Sequence, residues 1–262
     1  MRDELRELYR YRELLYMITY RDLKVRYKQS IMGFLWAIFM PVLIVMAGIV
    51  VRYGYDLAAH QRLEMAELAS VAVKSVPWAF VVSSIRFACN SLALTNRDLV
   101  TKIFFPKEIF PLASVLSSLF DFAVASCALA VFLAVVRVHV TANLLWAPVL
   151  IAVIVALAAG ISMVVAAASL FFRDVKYIVE LLLTFGIFFT PVFYDVAMFG
   201  SKGNWLLLNP VAPLLEGLRA CVVRGESPDL RWFAYSFLWA AISLTGGYAF
   251  FKHLEPGFAE SV

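Results

Sequence analysis

Long apolar runs alternate along this chain with short clusters of charge, and the runs have the length of bilayer crossings. Six stand out, at 33–51, 76–94, 113–136, 144–172, 177–193 and 232–251. At ~1.5 Å rise per residue, roughly 20 residues bridge a hydrocarbon core of about 30 Å. None of the runs alternates with period two. Because an unpaired backbone group in lipid costs several kcal/mol, the pattern predicts spanning helices rather than a closed barrel. Pro41 lies near the centre of the first run and predicts a kink there. The fourth carries AAGISMVVAAAS at 158–169, small residues that let two helix backbones approach closely.

The polar intervals are as informative. Before the first run, Leu8, Tyr11, Leu15 and Ile18 recur at helical spacing while Arg6, Arg10 and Glu13 occupy another face. That pattern describes an amphipathic helix over 2–20 lying at the membrane interface. Arg21, Lys24, Arg26 and Lys28 then form a basic collar suited to anionic lipid. Residues 52–74 read as an exposed loop, partly helical. The interval TNRDLVTKIFFPKEIFPL at 95–112 holds Arg97, Asp98, Lys102, Lys107 and Glu108, which hydrocarbon cannot accommodate. Pro106 and Pro111 limit its helix to about 96–104, capped by Thr95 or Asn96. From 194 to 228, two short apolar pieces are broken by Gly200, Gly203, Asn209, Pro210 and Pro213. Apolar pieces of ~10–14 residues suit a re-entrant hairpin better than a span.

Composition agrees with this reading: 63% of the 262 residues are hydrophobic and 16% charged, and the mean hydropathy is +0.82. A soluble domain carries far fewer apolar and more charged side chains. The expected fold is therefore an all-α integral membrane protein. It has six transmembrane helices, an N-terminal amphipathic interface helix, and an outer re-entrant helical hairpin between spans five and six. One transmembrane domain, 1–262, contains a cytosolic interface segment (1–30), a cytosolic loop (95–111) and the outer segment (194–228). Residues 1–27 are densely charged and lack a small-residue cleavage site, so they are expected to remain in the mature protein. Lys and Arg concentrate before the first run, in the 95–111 loop and at 173–176, which sets both termini in the cytosol of a multi-pass protein. Cys89, Cys127 and Cys221 form no CxxC, and His60, His139 and His253 are scattered, so neither a disulfide framework nor a metal centre is expected.

Arg86, Asp121 and Glu180 are the charges within or beside the apolar runs. Such residues mark function by default, but mutual neutralisation is the simpler role: Arg86 and Asp121 lie on consecutive spans, and Glu180 lies one turn from Lys176. No lined series of carboxylates and histidines suggests a proton relay, and no Ser–Lys or His–Asp grouping suggests a hydrolase. Aromatic residues make up 15% of the chain. Phe34, Trp36, Phe39, Phe185, Phe188 and Phe189 lie inside runs. They either pack against helices and lipid or line a path along which sugar faces slide.

The resemblance to a known family rests on five ordered blocks: YRDLKVRYKQSIMGFLWAIFMP at 20–41; PW at 77 with NSL at 90; LVTKIFFPKEIFPLA at 99–113; FFRDVKYIVELLL at 171–183 with TPVFY at 190; and LNPVAPLLEGLR at 208–219. Over nearly its whole length the chain resembles the membrane subunit of type-two ABC exporters that move lipid-linked polysaccharide, as in O-antigen, capsule and teichoic acid export. Two features depart from the pattern: Arg97 and Asp98 stand where the family is often smaller or uncharged, and 52–74 and 200–205 match nothing recognisable. The resemblance implies a homodimer in the cytoplasmic (inner) membrane, bound to two copies of a separate ATPase, with a lipid-linked glycan as cargo, membrane lipid around it and no nucleic acid. It makes Asn96, Arg97, Asp98, Leu99, Val100, Thr101 and Lys102 the contact with the ATPase. ATP and Mg would be held by that partner and no cofactor by this chain, which contains no GxxxxGK[ST] phosphate loop. Two other functions stand beside the one that the resemblance implies: export of a drug, lipid or peptide by the same superfamily, and an ATP-independent membrane enzyme or scavenger using Arg86 and Asp121 on a lipid phosphate.

Overall fold

The computed structural model describes residues 9–28, 35–58, 65–92, 105–139 and 141–258. Every regular element among them is helical. The helices are α1 (Arg12–Lys28), α2 (Trp36–Ala58), α3 (Met65–Cys89), α4 (Ile109–Val135), α5 (Trp146–Phe171), α6 (Val175–Gly186), α7 (Val211–Arg219) and α8 (Leu230–Leu254). A 3-10 turn precedes α5, and a kinked 3-10 segment, Val196–Leu208, precedes α7.

Among the described residues, three helices are long and apolar enough to cross a bilayer: Met65–Cys89 with 25 residues, Ile109–Val135 with 27, and Ala142–Phe171 with 30. The bent pair Lys202–Leu208 and Val211–Arg224 would make a fourth, broken by 112°. The helix α8 has the length, but Trp232, Tyr235, Ser236, Ser243 and Thr245 dilute its aliphatic content. The helix α2 runs unbroken through Pro41, which falls in its second turn rather than at its centre. The expected fifth span is helical only over the 12 residues of α6. At ~1.5 Å per residue this is about 18 Å, short of a crossing, and the chain then turns through 187–194.

Two boundaries shift in ways that matter. The second expected span begins at Met65, eleven residues before its apolar run, so the part of the expected loop from Met65 to Lys74 is the start of α3. Hydropathy places polar residues outside; here Ser70, Lys74 and Ser75 are buried because other elements cover them. The basic collar is likewise the end of α1, which continues through Lys28.

The most enclosed of the long helices is α3, and α5 is next. In its turn α5 is held on several sides. It packs along α8 and also meets α3 and α4. The small-residue stretch does what its composition predicts: a Cβ on Gly160 would stand 2.3 Å from the Ser243 backbone, and one on Gly247 would stand 2.4 Å from the Gly160 carbonyl oxygen. In lipid, where no hydrophobic effect separates helix from solvent, such close packing is a main source of association energy. Leu150, Ile154, Leu157, Leu214, Leu215 and Val192 fill the larger core, next to α7. A second core gathers Ile18, Leu92, Ile109, Phe110, Ala113, Ala166, Phe251 and Phe258. It joins both ends of the described chain: Phe258 rests on the rings of Phe251 and Phe171, at 5.1 and 5.9 Å between centroids.

Candidate functional site

Among the described residues, four charge clusters are set into this apolar bundle, and only part of their membership is legible in the sequence. The first joins α1 to α4. Arg26 donates to the Asp121 carboxylate and to Ser117 Oγ at 3.1 Å, and the Tyr27 hydroxyl donates to the other Asp121 oxygen. The Arg26 guanidinium also stacks on the Phe87 ring, 3.8 Å from its centroid. Ile18 joins the core beside Ile109 and Phe110, while Arg26 reaches Ser117 and Asp121 two to three turns further along α4. The N-terminal helix thus runs along the third apolar run and is pinned there by charge.

The second cluster pairs Arg86 with Glu180: Nε donates at 2.9 Å and Nη2 at 2.7 Å to the two carboxylate oxygens, a bidentate fork. Both expected pairings are therefore replaced. Arg86 takes Glu180 rather than Asp121, and Glu180 takes Arg86 rather than Lys176, whose ammonium instead lies over the Tyr177 ring at 4.8 Å. Spacing along one helix suggested Lys176, but packing of α6 across α3 brings a more rigid, two-pronged donor to the carboxylate. Arg86 and Asp121 nonetheless line the same cavity of about 330 Å³, together with Arg26.

The third cluster is a closed ring of four charges. The Lys74 ammonium donates all three of its N–H bonds: to the Tyr194 carbonyl at 2.6 Å, Asp195 at 3.0 Å and Glu216 at 3.1 Å. Arg219 closes the ring from the other side, on Asp195 at 2.5 Å and Glu216 at 3.1 Å, with Nε on Ser70 Oγ at 3.1 Å. Two cations and two carboxylates cancel, and the three hydrogen bonds offset the cost of enclosing Lys74, which is 0% exposed. The ring ties the bent 194–219 segment to α3. Sequence reasoning missed it. The available signals were a single lysine inside the run ASVAVKSVPWAF and an acid–base pair three residues apart in LNPVAPLLEGLR.

The fourth cluster lies where the 95–111 loop returns to the bundle. Lys252 donates to Glu108 and to Glu255, each at 2.9 Å, and the Lys107 amide donates to Glu255 at 3.3 Å. Burial pushes the Glu108 carboxyl above its ordinary value, against the pull of the Lys252 ammonium. The end of α8 is thereby fastened to the start of α4.

Of the expected contact residues, Asn96, Arg97, Asp98, Leu99, Val100, Thr101 and Lys102 lie outside the described residues, as do Phe34 and the side chain of Trp36. Phe185, Phe188 and Phe189 are exposed, the last two by 62% and 70%, and Phe39 is exposed as well. Phe185, Phe188 and Phe189 form with Ile178, Leu181 and Leu182 one exposed apolar stripe along α6 and the turns after it, while Phe39 lies on α2. Among the described residues, no group of three or more His, Cys, Asp or Glu side chains could hold a metal ion.

The long apolar helices are those of a membrane protein, and comparison with known proteins gives the family. A model described as ABC-2 type transporter matches residues 13–223. The chain belongs to that family. It is 28% identical over 266 residues to the O-antigen export system permease protein RfbA of Myxococcus xanthus, covering 98% of each chain. It is also similar to two Klebsiella pneumoniae proteins of the same name. These are 29% and 28% identical over 253 residues, covering 95% of this chain and 94% of each relative. The protein is accordingly a multi-pass membrane transporter of the ABC-2 type.

Proposed function

We propose that this chain is the transmembrane subunit of an ATP-driven exporter that moves lipid-linked, O-antigen-like polysaccharide across the cytoplasmic membrane, with ATP hydrolysed by a separate subunit. The observation that carries this reading is the end-to-end similarity to three permeases named for O-antigen export, over 94–98% of their length. The functional unit is a homodimer with two ATPase copies, and each subunit has six spans with both termini cytosolic. In this reading α2, α3, α4, α5, α6 with the following turns, and α8 cross or enter the bilayer. The bent segment 196–224 is the outer re-entrant hairpin, held to α3 by the four-charge ring. The helix α1 starts at the cytosolic interface and runs along α4 as far as Asp121.

The stretch Asn96–Lys102 seats in the ATPase. Closure of the two ATPases on ATP moves it, and α3 and α4, which flank it, carry the motion into the bundle. The Glu108–Lys252–Glu255 cluster supports this transmission by fixing the base of α4 to α8. The apolar stripe bearing Phe185, Phe188 and Phe189, with Phe39, Phe34 and Trp36, supplies aromatic faces on which sugar rings slide without a fixed hydrogen-bond pattern. Charge reversal at Arg97 and Lys102 tests the reading in vesicles holding the permease and its ATPase. Transport-coupled ATP hydrolysis is expected to fall while the subunit stays inserted and folded; full coupling in the double reversal refutes the assignment.

A further inference from the structure

The cavity of about 330 Å³ between the end of α1 and the helices α2, α3 and α4 is chemically two-sided. Arg26, Tyr27, Ser83, Arg86, Ser118 and Asp121 line one part of it, and Phe80, Phe122 and Ala125 are among the apolar residues that line the rest. Three features distinguish it from a packing defect. Its lining carries two guanidinium groups against one carboxylate, since Glu180, the partner of Arg86, lies outside the lining. Each guanidinium has five N–H donors, and partners among the described residues engage two on each. Ser118, 0% exposed, has a hydroxyl with no hydrogen-bond partner among the described residues. A buried hydroxyl left unpaired costs about 1–3 kcal/mol, which a polar ligand in this cavity would recover at Ser118.

We infer that this cavity binds a phosphate-headed lipid, its phosphate held by Arg26, Arg86 and Ser118 and the first part of its chain lying against Phe80, Phe122 and Ala125. Guanidinium groups suit this task because their planar fork matches phosphate oxygens. The volume sits at the low end of the ~300–1,000 Å³ typical of small-molecule sites, so it takes the head and the nearest carbons while the remaining chain runs out into the bilayer. Two sources share this chemistry: the polyprenyl diphosphate that would carry a glycan, and an anionic phospholipid of the surrounding membrane. The site rests on the geometry; only the choice of the polyprenyl source rests on the exporter reading.

Equilibrium binding to the full-length chain, in nanodiscs of uncharged phosphatidylcholine without any ATPase, tests it. The probe is radiolabelled farnesyl diphosphate, with farnesol, inorganic phosphate and phosphatidylglycerol as competitors. Saturable binding is expected, with farnesol and inorganic phosphate each competing at least about tenfold more weakly than the intact amphiphile. Arg86→Gln is expected to weaken binding about ten- to a hundredfold, the range that follows from losing a charge-assisted hydrogen bond. Arg86→Lys, which keeps the charge and loses the fork, should fall between. Ala125→Phe fills the apolar end and should also reduce binding; thermal melting of each variant reports whether it is folded. Displacement by phosphatidylglycerol at equal potency assigns the site to membrane lipid, and weaker displacement assigns it to the prenyl carrier; either upholds a phosphate-lipid site. Binding no better than that of farnesol, or binding unchanged in both folded Arg86→Gln and Ala125→Phe, overturns it. Because no ATPase is present, a failed coupling experiment and a failed binding experiment are separate results.

Discussion

Removing Lys74 is the sharpest perturbation that the structure offers. Lys74→Met keeps much of the side-chain volume and deletes the ammonium. Asp195 and Glu216, with side chains 14% and 20% exposed, are then left to share Arg219 alone. The four-charge ring becomes a triad of net charge −1, and the Tyr194 carbonyl loses its donor. Breaking a buried pair from one side typically costs about 3–5 kcal/mol, because the remaining charge is not compensated. The double variant Lys74→Met with Glu216→Gln removes one charge of each sign and leaves Arg219 facing Asp195 at 2.5 Å. It should recover part of the loss, with a coupling of about 0.5–3 kcal/mol between the two sites. Purified protein in detergent, followed by thermal unfolding with size-exclusion detection, supplies the comparison. Lower stability is expected for Lys74→Met than for either the double variant or the parent. The single and double variants melting together, both at the parental temperature, would show that the ring carries no net compensation and refute the reasoning.

Two further predictions concern the helix seam and the base of α4. Gly160→Ala should destabilise the protein by about 1–3 kcal/mol, since even a bare Cβ collides with the Ser243 backbone at 2.3 Å. Gly246→Ala, where nothing lies within 4 Å, should be neutral or slightly stabilising in the same melting assay. The buried Glu108 carboxyl holds its proton more tightly folded than unfolded, so unfolding releases that proton. Its contribution is greatest below its ordinary pKa of 4.5 and is lost as pH rises through the raised folded value. Melting temperatures of parent and Glu108→Gln, compared across pH, should diverge over that interval, with the parent losing ground as pH rises; parallel curves would refute it.

The hydropathy pattern located the helices well where a run is apolar throughout. The runs at 113–136 and 144–172 match α4, Ile109–Val135, and the helix Ala142–Phe171 within a few residues. It failed where burial comes from the protein rather than from lipid. Lys74 reads as loop because a lone ammonium is expected in water, and only the arrival of Asp195, Glu216 and Arg219 from 120 residues and more downstream makes its position within α3 tolerable. The 177–193 run is apolar enough to span, yet its helix stops at Gly186. Which charges pair was equally illegible. Arg86 had Asp121 on the next span and Glu180 on a later one as possible partners, and Asp121 found its cation in the N-terminal helix.

Sequence alone therefore determined that the chain lives in a membrane, that its elements are helices, where most of them lie and, through five ordered motifs, its family. Those properties follow from local chemistry: the transfer energy of consecutive side chains and the backbone's need to satisfy its own hydrogen bonds in lipid. Tertiary structure decided which charges neutralise which, that the 194–219 segment is fastened to α3, and that a two-sided cavity opens beside Arg26, Arg86 and Ser118. These depend on distances between residues dozens to more than a hundred positions apart, which no local pattern encodes.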